Sequence, residues 1–176
     1  QMIDGLEDTE RLSAGAFRLV RTVGELRQAR SDGARVGMLS IEGCHPLRGS
    51  LDRAKDLIHR GVVSFGLLHF NSNEVGYPAM GWGRNDQLGL TDFGKDLVHF
   101  LGEQNILVDL THINALGFQD ALDCTQGSVF VSHTGVRGEN DHWRNLTDTQ
   151  IKQIAQRGGV MGVIFSRQFL GGNDIE

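Results

Sequence analysis

The 176 residues of the chain are enough for one domain with a sizeable core, and a composition of 39% apolar and 22% charged residues excludes an intrinsically disordered chain. A net charge of -5 disfavours a surface that binds nucleic acid, so no nucleic-acid partner is predicted. The apolar runs fall well short of the roughly 20 residues that span a bilayer, so no membrane segment is predicted either. Residues 1–176 are therefore predicted to form a single domain.

Apolar runs of strand length alternate along the chain with stretches of helical period. Thr22 and Glu25 have the spacing of a capping box, at the start of a helix that Gly33 would end. Thr147 and Gln150 have the same spacing at the start of a later helix. The predicted strands are residues 36–43, 62–70, 106–112, 128–133 and 160–165, and the helices between them cover residues 50–61, 90–105, 115–122 and 147–158. Strands that are apolar on both faces and separated by helices predict a parallel α/β sheet covered on both sides.

Four polar side chains lie at or near the carboxyl ends of consecutive predicted strands. They are Glu42, His69, His112 and His133. In a parallel α/β sheet these ends meet at one rim, so residues far apart in the chain can share one cavity. Imidazole nitrogens and carboxylate oxygens are ligands of Zn²⁺. One such histidine alone is more often a structural residue, but the four together, including a carboxylate that is costly to bury unaided, favour a metal site.

Other polar residues receive different interpretations. Side chains alternate between the faces of a strand, so Asp109 and Thr111 are expected on one face and Leu110 and His112 on the other. Asp109 is therefore interpreted as a hydrogen-bonding residue rather than a metal ligand. The remaining histidines and cysteines are assigned or left open as follows: His59 and His99 on solvated helix faces, Cys44 and Cys124 as unpaired thiols, and His45 and His142 open near the rim.

Several segments resemble the membrane dipeptidase (renal dipeptidase) family of zinc-dependent barrel hydrolases. They are "SIEGCHPL", "GLTDFGKDLVHFLGEQNILVDLTH", "VFVSHTGVR" and "RNLTDTQIKQIAQRGGVMGVIF". The resemblance covers roughly residues 17–170. It depends on the joint occurrence, in this order, of Glu-Gly after a strand, Asp-Leu-Thr-His, Ser-His-Thr and Arg-Asn, since no single segment would be specific.

The resemblance implies a (β/α)8 TIM barrel of the metal-dependent hydrolase type, with two zinc ions at its rim. Such an enzyme hydrolyses the peptide bond of dipeptides through a metal-bridging hydroxide. Matched to the family's motifs, Glu42 would bridge the two ions, and His112 and His133 would bind the second ion. His69 would contact the substrate near the scissile carbonyl, so that Glu42 and His69 are the implied catalytic residues. Arg144 would receive the carboxylate of the dipeptide substrate.

The sequence departs from the family's pattern in two places. The His-x-Asp pair that binds the first zinc is not found before residue 36, and the later Asp that takes part in proton transfer is absent. Five predicted strands are too few to close an eight-stranded barrel. We therefore expect a partial barrel of about five βα units, an internal portion of a longer enzyme that is inactive by itself.

Two alternatives to a dipeptidase remain open. One is a related metal-dependent hydrolase that cuts another amide or a lactam, and the other is a truncated barrel that binds without catalysis. Assembly as a homodimer is left open, and so is the compartment, although the two cysteines slightly favour a soluble, cytoplasmic bacterial setting. The loop of residues 71–89, with Tyr77 and Trp82, is a candidate wall of the substrate pocket.

Overall fold

The structure is a computed structural model that describes residues 2–172. Within that range the strands are β1 (Phe17–Leu19), β2 (Arg35–Gly37), β3 (Leu39–Glu42), β4 (Val62–Gly66), β5 (Leu107–Asp109), β6 (Val129–Thr134) and β7 (Met161–Val163). The helices are α1 (Met2–Leu12), α2 (Val23–Ser31), α3 (Leu51–His59), α4 (Asp92–Glu103), α5 (Ala115–Cys124), α6 (Asp148–Gln156) and α7 (Arg167–Leu170), and a 3-10 turn covers His45–Leu47. Among the described residues, no helix combines the length and the apolar character needed to cross a membrane.

Strands β3 to β7 form one parallel sheet in chain order, and β1 pairs in parallel with β2 in a second, smaller sheet. Helices α3, α4, α5 and α6 each connect one strand of the larger sheet to the next. Parallel strands that pair in chain order through helical connections are the arrangement of a (β/α) barrel. The predicted α/β fold with a parallel sheet is confirmed.

One face of the larger sheet is apolar and packs against helices. We call it the outer face. Phe65, Val108 and Val129 occupy neighbouring positions in β4, β5 and β6, and each is at most 1% exposed. Leu97 and Leu101 of α4 are fully buried in the same hydrophobic cluster. Burial of side chains of this kind stabilises the fold by about 1.5–3 kcal/mol each.

The opposite face of the sheet, which we call the inner face, carries polar side chains together with half-buried apolar ones. Ser40, Ser64, Asp109 and Ser132 line a cavity of about 460 Å³ along β3 to β6. The register pairs Ser40 with Ser64 across β3 and β4. Val63, Leu107 and Phe130 line the same cavity but are only half-buried, so this face contributes less apolar burial than the outer face. It extends to the strand ends where the candidate site residues lie.

Most predicted strands are confirmed in position but are shorter than predicted. Of the run 62–70, only residues 62–66 belong to β4, although Leu67 and Leu68 beyond them are fully buried. An apolar run in the sequence indicates which residues are buried, and the chain remains buried beyond the last hydrogen bond between the strands. The predicted strand 36–43 is divided at Met38 into β2 and β3. Helix α1 and strand β1 were not predicted, because neither contains a buried residue that would give a clear apolar pattern.

The two predicted capping boxes are formed to different degrees. At the start of α6, the Thr147 hydroxyl accepts a hydrogen bond from the N–H of Gln150, and the Gln150 side chain accepts one from the N–H of Thr147. At the start of α2, Thr22 accepts from the N–H of Glu25, but the Glu25 carboxylate accepts from the N–H of Arg21 instead of Thr22. Both helices begin where the sequence predicted.

Candidate metal site at the strand ends

Three imidazole nitrogens converge on one carboxylate oxygen at the carboxyl ends of β3 to β6. The Nε2 atoms of His112, His133 and His69 lie 3.1, 3.4 and 3.8 Å from Oε1 of Glu42. The Nε2 atoms of His112 and His133 are 3.1 Å apart. The structure thus brings together all four side chains that the strand positions had indicated.

His112 lies three residues beyond β5 in a left-handed backbone conformation, with φ of 71°. A positive φ is uncommon outside glycine, and surrounding contacts must hold it. Here the carbonyl oxygen of His112 accepts a hydrogen bond of 2.7 Å from the N–H of Ala79, in the loop of residues 71–89. The predicted alternation agrees with the contacts of Asp109 and Thr111, which both reach Ser132, and with the burial of Leu110 in the apolar core. Strand geometry does not extend to His112, because β5 ends at Asp109 and the chain turns at His112.

His133 lies in β6, next to an irregularity in the pairing of β6 with β7. Between two paired positions, β6 advances by three residues, from 131 to 134, whereas β7 advances by two, from 161 to 163. One extra residue in one strand of a pair is a β-bulge, which bends the strand and redirects side chains. As a result the side chains of Ser132 and His133, although adjacent in the chain, are in contact, with Ser132 Oγ 2.9 Å from Nδ1 of His133.

His69 lies beyond the end of β4, and its side chain is far more accessible than that of His112, 42% against 4% exposed. The ring of Phe70 packs beside both, with centroids 4.4 Å from His69 and 4.9 Å from His112. Phe70 is 38% exposed, so it presents an apolar surface next to the site. Sequence reasoning missed Phe70, because an apolar residue at the end of an apolar run carries no signal of a site.

Arg144 lies next to the histidines and is 5% exposed. Its guanidinium donates to the carbonyl oxygen of His133 at 2.9 Å, with longer contacts of 3.4 Å to Nδ1 of His112 and the hydroxyl of Thr134. Among the described residues, no carboxylate forms an ion pair with Arg144. Burial lowers the pKa of Arg144 to about 10, so the group stays protonated at neutral pH. The negative charges of Asp109 and Glu42 oppose this lowering of the pKa, but neither carboxylate forms an ion pair with Arg144, so the guanidinium remains able to bind an anionic ligand.

The imidazoles near Arg144 are held in their neutral form. Burial, followed by the positive charge of Arg144, lowers the pKa of His112 to about 3. The same two causes lower the pKa of His133 below its ordinary value. Both rings are therefore neutral at pH 7, and a neutral imidazole has one nitrogen lone pair with which to bind a metal. In His112 that lone pair must lie on Nε2 for metal binding, so Nδ1 would then carry the proton and lose its 3.4 Å contact with Arg144.

Asp109 holds the backbone around the site. Its Oδ1 accepts hydrogen bonds from the N–H groups of Thr111 and Ser132, each at 3.0 Å. The Thr111 and Ser132 hydroxyls are 3.1 Å apart, and Ser132 Oγ lies 2.9 Å from Nδ1 of His133. These contacts agree with the interpretation of Asp109 as a hydrogen-bonding residue. Thr111 and Ser132 were not recognised from the sequence, because hydroxyl residues are common in strands.

The other residues singled out in the sequence lie around the site or away from it. The ring of His142 stacks on Trp143 at 5.1 Å, and Nδ1 of His142 accepts a hydrogen bond from the N–H of Arg144. Trp82 is 81% exposed and Tyr77 is partly buried. The remaining positions are His45, which begins the 3-10 turn, His59 and His99, which are exposed on helices, and Cys44 and Cys124, which are free thiols.

Comparison with known protein families and sequences gives several matches. The family model described as membrane dipeptidase (peptidase family M19) matches residues 1–175. An uncharacterized dipeptidase from Schizosaccharomyces pombe is 31% identical over 133 residues, which are 76% of this chain and 32% of that protein. The chain spans between about a third and a half of the length of the curated relatives that it matches.

Solved structures match nearly the whole chain. A metallo peptidase from Rhodobacter sphaeroides, liganded with a phosphinate mimic of the dipeptide L-Ala-D-Ala, has a TM-score of 0.85 at 28% identity, covering 96% of this chain and 49% of that chain. A probable dipeptidase from Pseudomonas aeruginosa has a TM-score of 0.88 at 20% identity, covering 92% of this chain and 42% of that chain. At that identity, the second match indicates the fold alone.

Proposed function

Because the chain belongs to the membrane dipeptidase family (peptidase family M19), we propose that it forms part of the active site of a binuclear zinc dipeptidase. The proposed reaction is hydrolysis of the peptide bond of a dipeptide. Glu42, His112 and His133 are the proposed metal ligands. Glu42 and His69 are the proposed catalytic residues, and Arg144 is proposed to bind the carboxylate of the substrate.

The donor atoms fit a zinc ion both in type and in spacing. Oε1 of Glu42 and the Nε2 atoms of His112 and His133 form a triangle with sides of 3.1, 3.1 and 3.4 Å. Zinc bonds of about 2.0–2.1 Å in tetrahedral geometry separate neighbouring ligand atoms by roughly 3.3 Å. The triangle therefore has the dimensions of one face of a zinc coordination shell.

His69 is assigned to the substrate rather than to the metal because the family resemblance implies that role, and its longer distance supports the assignment. The ligand atoms of Glu42, His69 and His112 also lie within 4.8 Å of one another, so His69 is near the proposed ion. However, its Nε2 is 3.8 Å from Oε1 of Glu42, compared with 3.4 Å for His133. All three imidazole contacts involve Oε1, which leaves Oε2 of Glu42 for a second ion.

The metal ions and the side chains of this chain would have different roles in the proposed hydrolysis. When bound, two zinc ions would lower the pKa of a water molecule and polarise the peptide carbonyl. His69, with its accessible ring, would donate a hydrogen bond to the peptide near the scissile carbonyl. The ring of Phe70 would contact the apolar part of the substrate beside it.

Arg144 would give the site a preference for short peptides. A guanidinium offers N–H donors in the geometry of a carboxylate, and burial strengthens the attraction between the two charges. The α-carboxylate of a dipeptide would supply the direct ion-pair partner that Arg144 lacks among the described residues, since Asp109 and Glu42 act on it only from a distance. Since a free α-carboxylate exists only at a chain end, a substrate anchored in this way has its scissile bond close to its carboxyl terminus.

The observation that carries this proposal is the convergence of three imidazoles on Glu42. We would test it by measuring zinc content and dipeptide hydrolysis in the full-length protein and in its Glu42→Gln and His112→Ala variants. The wild type is expected to hold two zinc ions per chain, and both variants are expected to lose zinc. Hydrolysis should fall by at least about 100-fold, because even groups that only support a ligand are worth 10- to 100-fold.

His99→Ala is the matched control for the histidine substitution, because His99 is exposed on α4 away from the strand ends. It should keep both zinc and activity. Dipeptides with an amidated carboxyl terminus should be hydrolysed at least about tenfold more slowly than free dipeptides, because the charged contact to Arg144 is lost. Equal turnover of the amidated peptides would favour the alternative amide hydrolase, and a folded wild type without zinc would contradict the proposal.

A further inference from the structure

Ser132 contacts His133 at the ring nitrogen that faces away from the proposed metal. Nε2 of His133 points toward Glu42 and His112, whereas Nδ1 lies 2.9 Å from the hydroxyl oxygen of Ser132. Within residues 2–172, no other hydrogen-bond partner of Nδ1 is observed. A neutral imidazole that binds a metal through one nitrogen carries its proton on the other, and that N–H needs an acceptor to fix the orientation of the ring.

The β-bulge in β6 makes the contact between these neighbours possible. In a regular strand Ser132 and His133 would point to opposite faces, but here the Ser132 hydroxyl lies 2.9 Å from Nδ1 of the His133 ring. The bulge depends on Gly162 in the adjacent strand β7, because a Cβ atom at that position would lie 2.1 Å from the carbonyl oxygen of Ser132. Local backbone geometry therefore places the Ser132 hydroxyl at Nδ1 of the residue that follows it.

Thr111 in turn holds the Ser132 hydroxyl. The two hydroxyl oxygens are 3.1 Å apart, and Thr111 Oγ1 also accepts a hydrogen bond of 3.4 Å from the N–H of His133. Thr111 is only 2% exposed, so water does not compete for it. Two orders of protons satisfy these contacts, and in the one compatible with metal binding His133 Nδ1–H donates to Ser132 and the Ser132 hydroxyl donates to Thr111. This order leaves Nε2 of His133 without a proton and able to bind a metal.

Asp109 keeps the two hydroxyl residues side by side. The pairing of β5 with β6 ends at Asp109 and Phe130. Beyond that pair, the Asp109 carboxylate accepts hydrogen bonds from the N–H groups of Thr111 and Ser132. The carboxylate therefore takes over the hydrogen bonding that a continued strand pair would supply, at the point where Thr111 and Ser132 must stay in contact.

We propose that Ser132 is a positioning residue that fixes the metal-binding tautomer of His133 by accepting a hydrogen bond from its Nδ1–H. This inference rests on the proposed function, and it adds a residue that touches neither the metal nor the substrate. Without the hydroxyl, the ring of His133 is free to turn and to exchange its proton between the two nitrogens. Zinc binding should therefore weaken while the fold is retained.

Ser132→Ala in the full-length protein tests this role through zinc affinity. Competition with a chromophoric chelator should show a zinc dissociation constant about 10- to 100-fold higher than that of the wild type. Ser132→Thr keeps the accepting oxygen and should restore most of the affinity. Ser64→Ala is the matched control, because Ser64 lines the same cavity but its hydroxyl has no hydrogen-bond partner among the described residues. Its zinc affinity should equal that of the wild type.

Nitrogen-15 spectra of histidine-labelled, zinc-loaded protein provide a second readout, and its first part uses only the wild type. Nδ1 of His133 should carry a proton and Nε2 should bind zinc, and the Nδ1–H signal should shift or broaden in Ser132→Ala. Zinc bound through Nδ1, or equal affinities of the Ser132→Ala and Ser64→Ala variants, would overturn the inference. A folded wild type that takes up no zinc would instead overturn the proposed function, together with the inference that rests on it.

Discussion

The outer and inner faces of the sheet are made from alternate residues of the same strands, but they differ in what they contribute. Phe65 and Val108 face the helices and are almost completely buried in apolar surroundings. Their neighbours Ser64 and Asp109 face the inner cavity. The outer face stabilises the fold by apolar burial, whereas the inner face has apolar residues that are only half-buried and places polar groups beside the strand ends. Substitutions on the two faces should therefore affect different measurements.

The largest expected effect is that of Phe65→Ala on the outer face. Phe65 is 0% exposed, so removal of its ring should lower the free energy of unfolding by about 3–5 kcal/mol. Urea unfolding of the full-length protein measures this loss, and Phe65→Leu should lose less than about 1.5 kcal/mol because most of the volume is kept. The zinc affinity of the folded Phe65→Ala protein should be unchanged. Wild-type stability combined with a loss of zinc affinity would contradict the division between the faces.

The next largest expected effect is the increase in the free energy of unfolding when zinc binds. A zinc concentration 100 times the dissociation constant should raise the free energy of unfolding by about 2.7 kcal/mol over the value in chelator. Glu42→Gln should remove this difference. In chelator its stability should stay within about 0.5 kcal/mol of the wild type, because the Glu42 side chain is 52% exposed. Equal stabilisation of both proteins by zinc would place the bound ion away from Glu42.

The outer face is also the part of the fold that the sequence predicted best. The spacing of apolar residues indicates which side chains are buried. Leu97 and Phe118, for example, are buried in helices that this spacing predicted. Helix α1 and strand β1 gave no such signal because they contain no buried residue. Strand ends were placed too late for the opposite reason, since Leu67 and Leu68 remain buried after β4 has ended.

The candidate site was predictable in residue type and chain order but not in orientation. The rule that carboxyl ends of parallel strands meet at one rim is sufficient to group Glu42 with the histidines. The positive φ of His112 and the bulge before His133 depend on Ala79 and Gly162, which are distant in sequence. No local pattern can show such contacts. The role of Arg144 came from the family resemblance, because a single arginine in a loop has no periodicity to mark it.

A smaller effect is expected at the rim, where Thr147 caps α6 three residues after Arg144. Thr147→Ala removes one half of the capping box and should lower the free energy of unfolding by about 1 kcal/mol. Thr147→Ser keeps the accepting oxygen and should preserve stability. Dipeptide hydrolysis by the folded Thr147→Ala protein should match that of the wild type. Like a substitution on the outer face, this one would therefore lower stability and leave hydrolysis unchanged. A loss of hydrolysis greater than the loss of folded protein would mean that the cap also holds Arg144 in place.

The smallest expected effect, and the one of opposite sign, is that of Ser64→Ala on stability. Ser64 is 5% exposed, and its hydroxyl has no hydrogen-bond partner within the described residues. A buried hydroxyl without a partner costs free energy, so its removal should leave the free energy of unfolding unchanged or raise it by up to about 1 kcal/mol. Urea unfolding beside Phe65→Ala gives the direct contrast between adjacent residues of one strand. A fall of more than about 1 kcal/mol in the free energy of unfolding would mean that the Ser64 hydroxyl has a hydrogen-bond partner in the inner cavity. The inner face would then stabilise the fold through polar contacts, as the outer face does through apolar ones.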